Sequence, residues 1–148
     1  MSETRAEPSA EEPLAEEHCW TAVTRAIRVT VTPRFLPAES DPVEDRYVFA
    51  YTVEIVNEGT ETVRLIARHW RITDGRGRTE EVRGPGVVGE QPTLGPGQSY
   101  TYTSGAPLPT PSGIMVGDYN MMTDAGQPFD VAIPAFALES PYTRRTLH

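Results

Sequence analysis

The stretch that most narrows the fold is RYVFAYTVEIVN, residues 46–57. Tyr47, Phe49, Tyr51, Val53 and Ile55 fall at every second position. Successive side chains of an extended chain point to opposite sides, so this spacing gives a strand with one continuous apolar face. A helix would scatter the same five residues around its circumference. The period repeats upstream, where Ile27, Val29, Val31 and Phe35 alternate with Arg28, Thr30, Thr32 and Arg34. Pro33 lies in that run and cannot donate to a ladder, which points to an edge position or a bulge.

Further strands read as TVRLIARHWRITD, RTEEVRG, SYTYTSG, IMVGDYNMMTD and PFDVAIPAFAL. NEGTE, DGRG, LGPGQ and AGQ separate them as turns; in LGPGQ, Pro96 and Gly97 suit the two central positions of a type II turn. With turn signals about every 8–12 residues and no helical periodicity, the pattern is all-β: an antiparallel β-sandwich of immunoglobulin-like architecture. Trp70 is its natural core anchor, and His69 then faces the other way.

The N-terminus is different. Residues 1–19 carry six glutamates against Arg5, have no aromatic and contain one leucine. Such a segment buries too little apolar surface to offset its ordering entropy, so residues 1–19 read as a disordered acidic tail and 20–148 as one domain. The tail also holds most of the net charge of −8. An acidic chain repels phosphate backbones, which speaks against nucleic-acid binding. All 13 basic residues are arginine, so lysine chemistry, from Schiff bases to the P-loop, is excluded. Cys19 is the single cysteine, no signal-peptide pattern is present, and no apolar run reaches membrane-spanning length. A cytoplasmic protein without membrane insertion is the expectation.

RGPGVVGEQP, residues 83–92, contains G-x-G-x-x-G at Gly84, Gly86 and Gly89. In dinucleotide-binding folds this spacing precedes a helix whose N-terminus holds the pyrophosphate. Pro92 and Pro96 leave no room for that helix. Two readings stay open. One is a bulge or crossing in which the glycines supply positive φ and close approach. The other is a helix-free anion nest from Arg83, Gly84, Gly86, Val87 and Gly89, with pyrophosphate or a dinucleoside polyphosphate as ligand.

The segments RYVFAYTVEIVN, RHWRITDGRGRTEEVRGPGVVGEQPTLGPGQSYTYTSG, TPSGIMVGDYNM and PFDVAIPAFAL resemble the ApaG family, also called CorD. The likeness runs from about Ile27 to the C-terminus and leaves out the acidic tail. It implies a fibronectin type III or immunoglobulin-like sandwich and no established enzymatic activity. It also implies a genetic link to cobalt resistance and magnesium efflux, a frequent gene neighbour that hydrolyses diadenosine tetraphosphate, and a protein-binding role for similar eukaryotic domains. The family's glycine motif, discussed as a pyrophosphate site, falls on Gly84, Gly86 and Gly89.

Other constellations are weaker. His18, His69 and His148 form no metal-ligand spacing with Cys19, so no metal site and no cofactor are expected. The serines lack a nucleophile-elbow context, and Glu80 and Glu81 face opposite sides of a strand, so no catalytic residues are assigned. Arg64, Arg68, Arg76, Arg78 and Arg83 read as a solvated sheet face paired with Glu80 and Glu81, or as a partner or anion surface near the glycine loop. Met121 and Met122 point oppositely, which places one of them at the surface. The leading expectation is a non-catalytic module for an unidentified protein partner, with homodimerisation through a sheet edge left open.

Overall fold

The computed structural model describes residues 18–143. The expected acidic tail therefore lies, up to residue 17, outside the described residues, as does His148. The strands are β1 (Trp20–Thr24), β2 (Ile27–Phe35), β3 (Tyr47–Asn57), β4 (Val63–Asp74), β5 (Thr79–Pro85), β6 (Thr93–Leu94), β7 (Ser99–Leu108), β8 (Ser112–Thr123) and β9 (Pro128–Glu139). They form two antiparallel sheets. One runs β1-β2-β3-β7, and the other runs β9-β8-β4-β5, with β6 on the same edge of β4 as β5.

The alternating residues meet between the sheets. Val29, Val31, Phe49, Val53 and Ile55 from one sheet face Leu65, Met115, Tyr119, Val131 and Ile133 from the other, all buried. Trp70 is 2% exposed, and its ring meets those of Tyr51 and Phe136 at 5.3 and 5.9 Å. Pro33 pairs with Tyr51 of β3, beyond the last residue of β2 that β1 reaches. Its missing N–H thus falls where β2 is locally an edge.

Asn57 ties two loops together from a buried position. Its Nδ2 donates to the carbonyls of Glu61 and Leu94 at 2.7 and 2.9 Å, and its Oδ1 accepts from Gly59 N–H at 2.9 Å. Its backbone carbonyl accepts from Gly97 N–H at 2.7 Å. Gly97 has φ of 81°, as the type II reading of LGPGQ requires.

The sandwich is closed along one side and open along the other. β9 packs on β1 and β2, Ala132 N–H donates to Thr24 Oγ1 at 3.1 Å, and Trp20 stacks near Phe136. On the opposite side, β5 and β7 have no comparable packing. A groove of about 430 Å³ lies between them, lined in part by Ile72, Thr79, Glu80, Pro107 and Leu108.

Candidate functional site

The glycine segment sits at the open side, where β5 ends. A β-bulge interrupts the pairing of β4 with β8 between Leu65 and Ala67. The bulge changes which residues point inward. Val63 and Leu65 face the core before it, and Arg68 and Trp70 share the inner side after it. Arg68 is therefore not on the solvated outer face with Arg64. Its guanidinium lies against the Cα of Gly84, where an added Cβ would come within 3.0 Å of Nη2. Its Nη1 donates to the carbonyls of Pro85 and Gly86 at 3.0 and 2.9 Å.

The three motif glycines have different reasons. Gly84 leaves room for Arg68. Gly86 has φ of 59°, and a Cβ there would stand 2.1 Å from the Glu90 carbonyl oxygen. Gly89 has φ of 84° with open space around it. Val88, at φ 42°, and Gly89 form the two central residues of a tight hairpin turn, closed by reciprocal N–H to carbonyl bonds of 2.8 Å between Val87 and Glu90. Positive φ at both positions is the type I′ turn that suits strand twist.

The loop's amides are partly spent. Gly86 N–H donates to the Ile66 carbonyl and Val87 N–H to the Glu90 carbonyl, each at 2.8 Å. Val87 is fully buried. Gln91 braces the other flank: its Nε2 donates to the Ile66 carbonyl at 2.9 Å, and its Oε1 accepts from Arg64 Nη2 at 3.1 Å.

On the outer face, Arg83 and His69 converge on one carboxylate. Glu81 Oε1 lies 3.0 Å from His69 Nε2 and 3.2 Å from Arg83 Nη2. The hydrogen bond from His69, with charge from His69 and Arg83, holds the Glu81 carboxyl below its usual range. His69 does face away from Trp70, yet its side chain is only 14% exposed. A groove of about 430 Å³ passes between these groups and the loop, bordered by Arg68, His69, Arg83, Gly84 and Asn120.

Beside Arg68 on the inner side lies a group of tyrosines. Tyr102 and Tyr119 share a hydrogen bond between hydroxyls of 2.5 Å, and burial raises the pKa of both well above the usual tyrosine range. Tyr51 is also raised by burial, against the hydrogen bond from Ser104 and the charge of Arg68. Sequence reasoning missed this cluster. The bulge that aims Arg68 inward carries no composition signal.

A second feature lies at the start of β4, beside Arg64 and Ile66. Met121 is 1% exposed and Met122 is 37% exposed, as the alternation of β8 requires. Met122 borders a mainly apolar groove of about 330 Å³ with Val63, Arg64, Ile66 and Thr93.

Among the described residues, no three His, Cys, Asp or Glu side chains come together as a metal site. Cys19 is exposed, with its Sγ 3.2 Å from Thr32 Oγ1. No described helix is long and apolar enough to cross a membrane.

Comparison with known proteins settles the kinship of this sandwich. The ApaG domain family matches residues 37–123. The chain belongs to the ApaG family. It is 61% identical over 129 residues to the ApaG protein of Methylobacterium sp. (strain 4-46), covering 87% of this chain and 99% of that one. The ApaG protein of Rhodospirillum centenum is 61% identical over 125 residues, 84% of this chain and 96% of that one. The crystal structure of the putative ApaA protein from Bordetella pertussis superposes with a TM-score of 0.76 at 54% identity, over 79% of this chain and 95% of that one. ApaG kinship and the sandwich fold thus agree with the sequence reading. The strand β1 lies upstream of where the period-two pattern begins.

Proposed function

We propose that this ApaG-family chain is a non-catalytic module that binds another protein in the cytoplasm. The observation that carries the reading is Met122, exposed beside a mainly apolar groove that Ile66 and Arg64 also line. A flexible thioether over an apolar depression suits an adaptable protein contact, and an arginine beside it supplies orientation. On this reading, the family's tie to cobalt resistance and magnesium efflux runs through a protein partner rather than through metal held by this chain. Met122→Glu tests it, since the change adds charge at a surface position. Quantitative affinity capture should recover a reproducible partner with the wild-type chain, reduced roughly tenfold or more by Met122→Glu. Equal recovery by both, or no reproducible partner, refutes the reading.

A second reading has its own observation: the groove bordered by Arg83, His69 and Gly84. There, pyrophosphate or a dinucleoside polyphosphate would meet Arg83 and Gly84, with Gly86, Val87 and Gly89 shaping the loop behind them. Because the Gly86 and Val87 amides already donate to carbonyls, Arg83 would carry most of the attraction. An amide-resolved NMR titration with diadenosine tetraphosphate decides it. Saturable shifts at residues 83–89, lost in Arg83→Ala, support the site; their absence at millimolar ligand removes it.

A further inference from the structure

We propose that β7 is a self-pairing edge, through which two copies of this chain join their β1-β2-β3-β7 sheets into one continuous sheet about a two-fold axis at Thr103.

The four edges of the sandwich are unequal. β9 carries Pro128 and Pro134 and a register break between Ile133 and Phe136. β1 has five residues. β5 places Glu80, Glu81 and Arg83 along its length and ends at Gly84 and Pro85. Charge, proline and shortness are the usual guards against edge pairing. β7 has none of them over Ser99–Ala106; its ten residues, SYTYTSGAPL, include no charged side chain.

The direction of its free groups follows from its pairing. Asn57 N–H donates to the Gln98 carbonyl, and the register continues through Ile55↔Tyr100, Val53↔Tyr102, Tyr51↔Ser104 and Phe49↔Ala106. Tyr100, Tyr102, Ser104 and Ala106 therefore turn their backbone groups toward β3, and Thr101, Thr103 and Gly105 turn theirs outward. Pro107 is the next outward position and has no N–H, so it ends the row.

This row is complementary to itself. In antiparallel pairing centred on Thr103, Thr103 meets Thr103 and Thr101 meets Gly105 of the second copy. These are the positions whose N–H and carbonyl groups point outward, so each pair can exchange both bonds. On the inner side, Tyr102 meets Ser104 and Tyr100 meets Ala106, a large residue opposite a small one each time. Both rings are largely covered in one copy, so the added contact is modest. Electrostatics favours the same surface. The chain carries a net charge of −8, so copies repel, and an uncharged edge is where they approach at least cost. The contact is independent of the Met122 groove, which lies on the other sheet.

Sedimentation equilibrium of the full chain, read over a wide concentration range, should show a reversible monomer–dimer equilibrium. Thr103→Lys sets two like charges face to face on the axis at an exposed position and should weaken dimerisation at least about tenfold. Cysteine pairs test the register in a Cys19→Ser background. Thr103→Cys should cross-link to its own copy under mild oxidation, since Cα atoms of a hydrogen-bonded pair stand about 5.5 Å apart, within disulfide reach. Thr101→Cys and Gly105→Cys should cross-link when mixed and not when alone. A chain that stays monomeric at all concentrations overturns the proposal, as does a dimer that Thr103→Lys leaves intact. If Thr103→Lys fails to fold, the cysteine series decides: cross-linking of Thr103→Cys no faster than that of Thr101→Cys alone also overturns it.

Discussion

The two long sides of the sandwich solve the same problem differently. On the closed side, β9 packs onto β1 and β2, and Phe136 sits among the rings of Trp20, Tyr51 and Trp70 at 6.3, 6.0 and 5.9 Å. On the open side, β5 and β7 stay apart, and polar groups hold the interior: the Arg68 guanidinium under Gly84 and the Tyr102–Tyr119 hydroxyl pair. Apolar packing seals one side. The other side keeps free strand edges, and the glycine loop lies there. The lesson is that stability and contact chemistry are divided between two sides of one core.

The largest break in this comparison is Phe136→Ala against Val82→Ala, a truncation on each side. Phe136 is 1% exposed, so its loss should cost about 3–5 kcal/mol by urea unfolding. Val82 is only half-buried on β5, and its truncation should cost about 1 kcal/mol. Equal costs would mean that the open side is packed as tightly as the closed one.

The motif glycines come next, because their three reasons predict three sizes. Gly86→Ala meets a backbone oxygen and a positive φ at once, and should cost about 2–4 kcal/mol. Gly89→Ala meets only the φ and should cost about 1 kcal/mol. Gly84→Ala meets the tip of the Arg68 side chain, which can shift, and should cost less than about 0.5 kcal/mol. A reversed order in thermal melts would refute the assignment of roles.

The buried tyrosine pair sharpens the polar half of the comparison. Tyr102→Phe or Tyr119→Phe alone strands one buried hydroxyl and should cost about 1–2 kcal/mol, with the double change costing less than the sum. The same pair sets an alkaline limit. Unfolded tyrosines ionise near pH 10, while the folded ones hold their protons to higher pH. Above about pH 10 the unfolded state therefore binds fewer protons than the folded one, and stability falls as pH rises. Urea midpoints measured on either side of pH 10 should show that fall in the wild type and a shallower one in the double variant.

Most of the sandwich was legible in the sequence because a half-buried strand must alternate, and β2, β3, β7, β8 and β9 do so plainly. β1 was not. The turn that joins it to β2 is Arg25-Ala26, both at positive φ, where Asn-Gly would ordinarily announce a hairpin. The arginines were legible only in part. Arg83 does pair with Glu81 on the outer face, as a solvated sheet would have it. Arg68 does not join it, because the bulge after Leu65 turns the strand over. The glycine motif was readable as a turn without a helix, and the structure adds which glycine needs conformation and which needs space.

Alternation by itself determined the all-β class and most residues of the core, and Pro92 and Pro96 the absence of room for a Rossmann helix, since these depend on spacings of a few residues. Only the tertiary structure decided that Arg68 lies beneath the glycine loop, that Tyr102 meets Tyr119, and that β5 and β7 are left as open edges. Each of those depends on a bulge, a turn or a strand order, and such long-range choices leave no local period in the sequence to read.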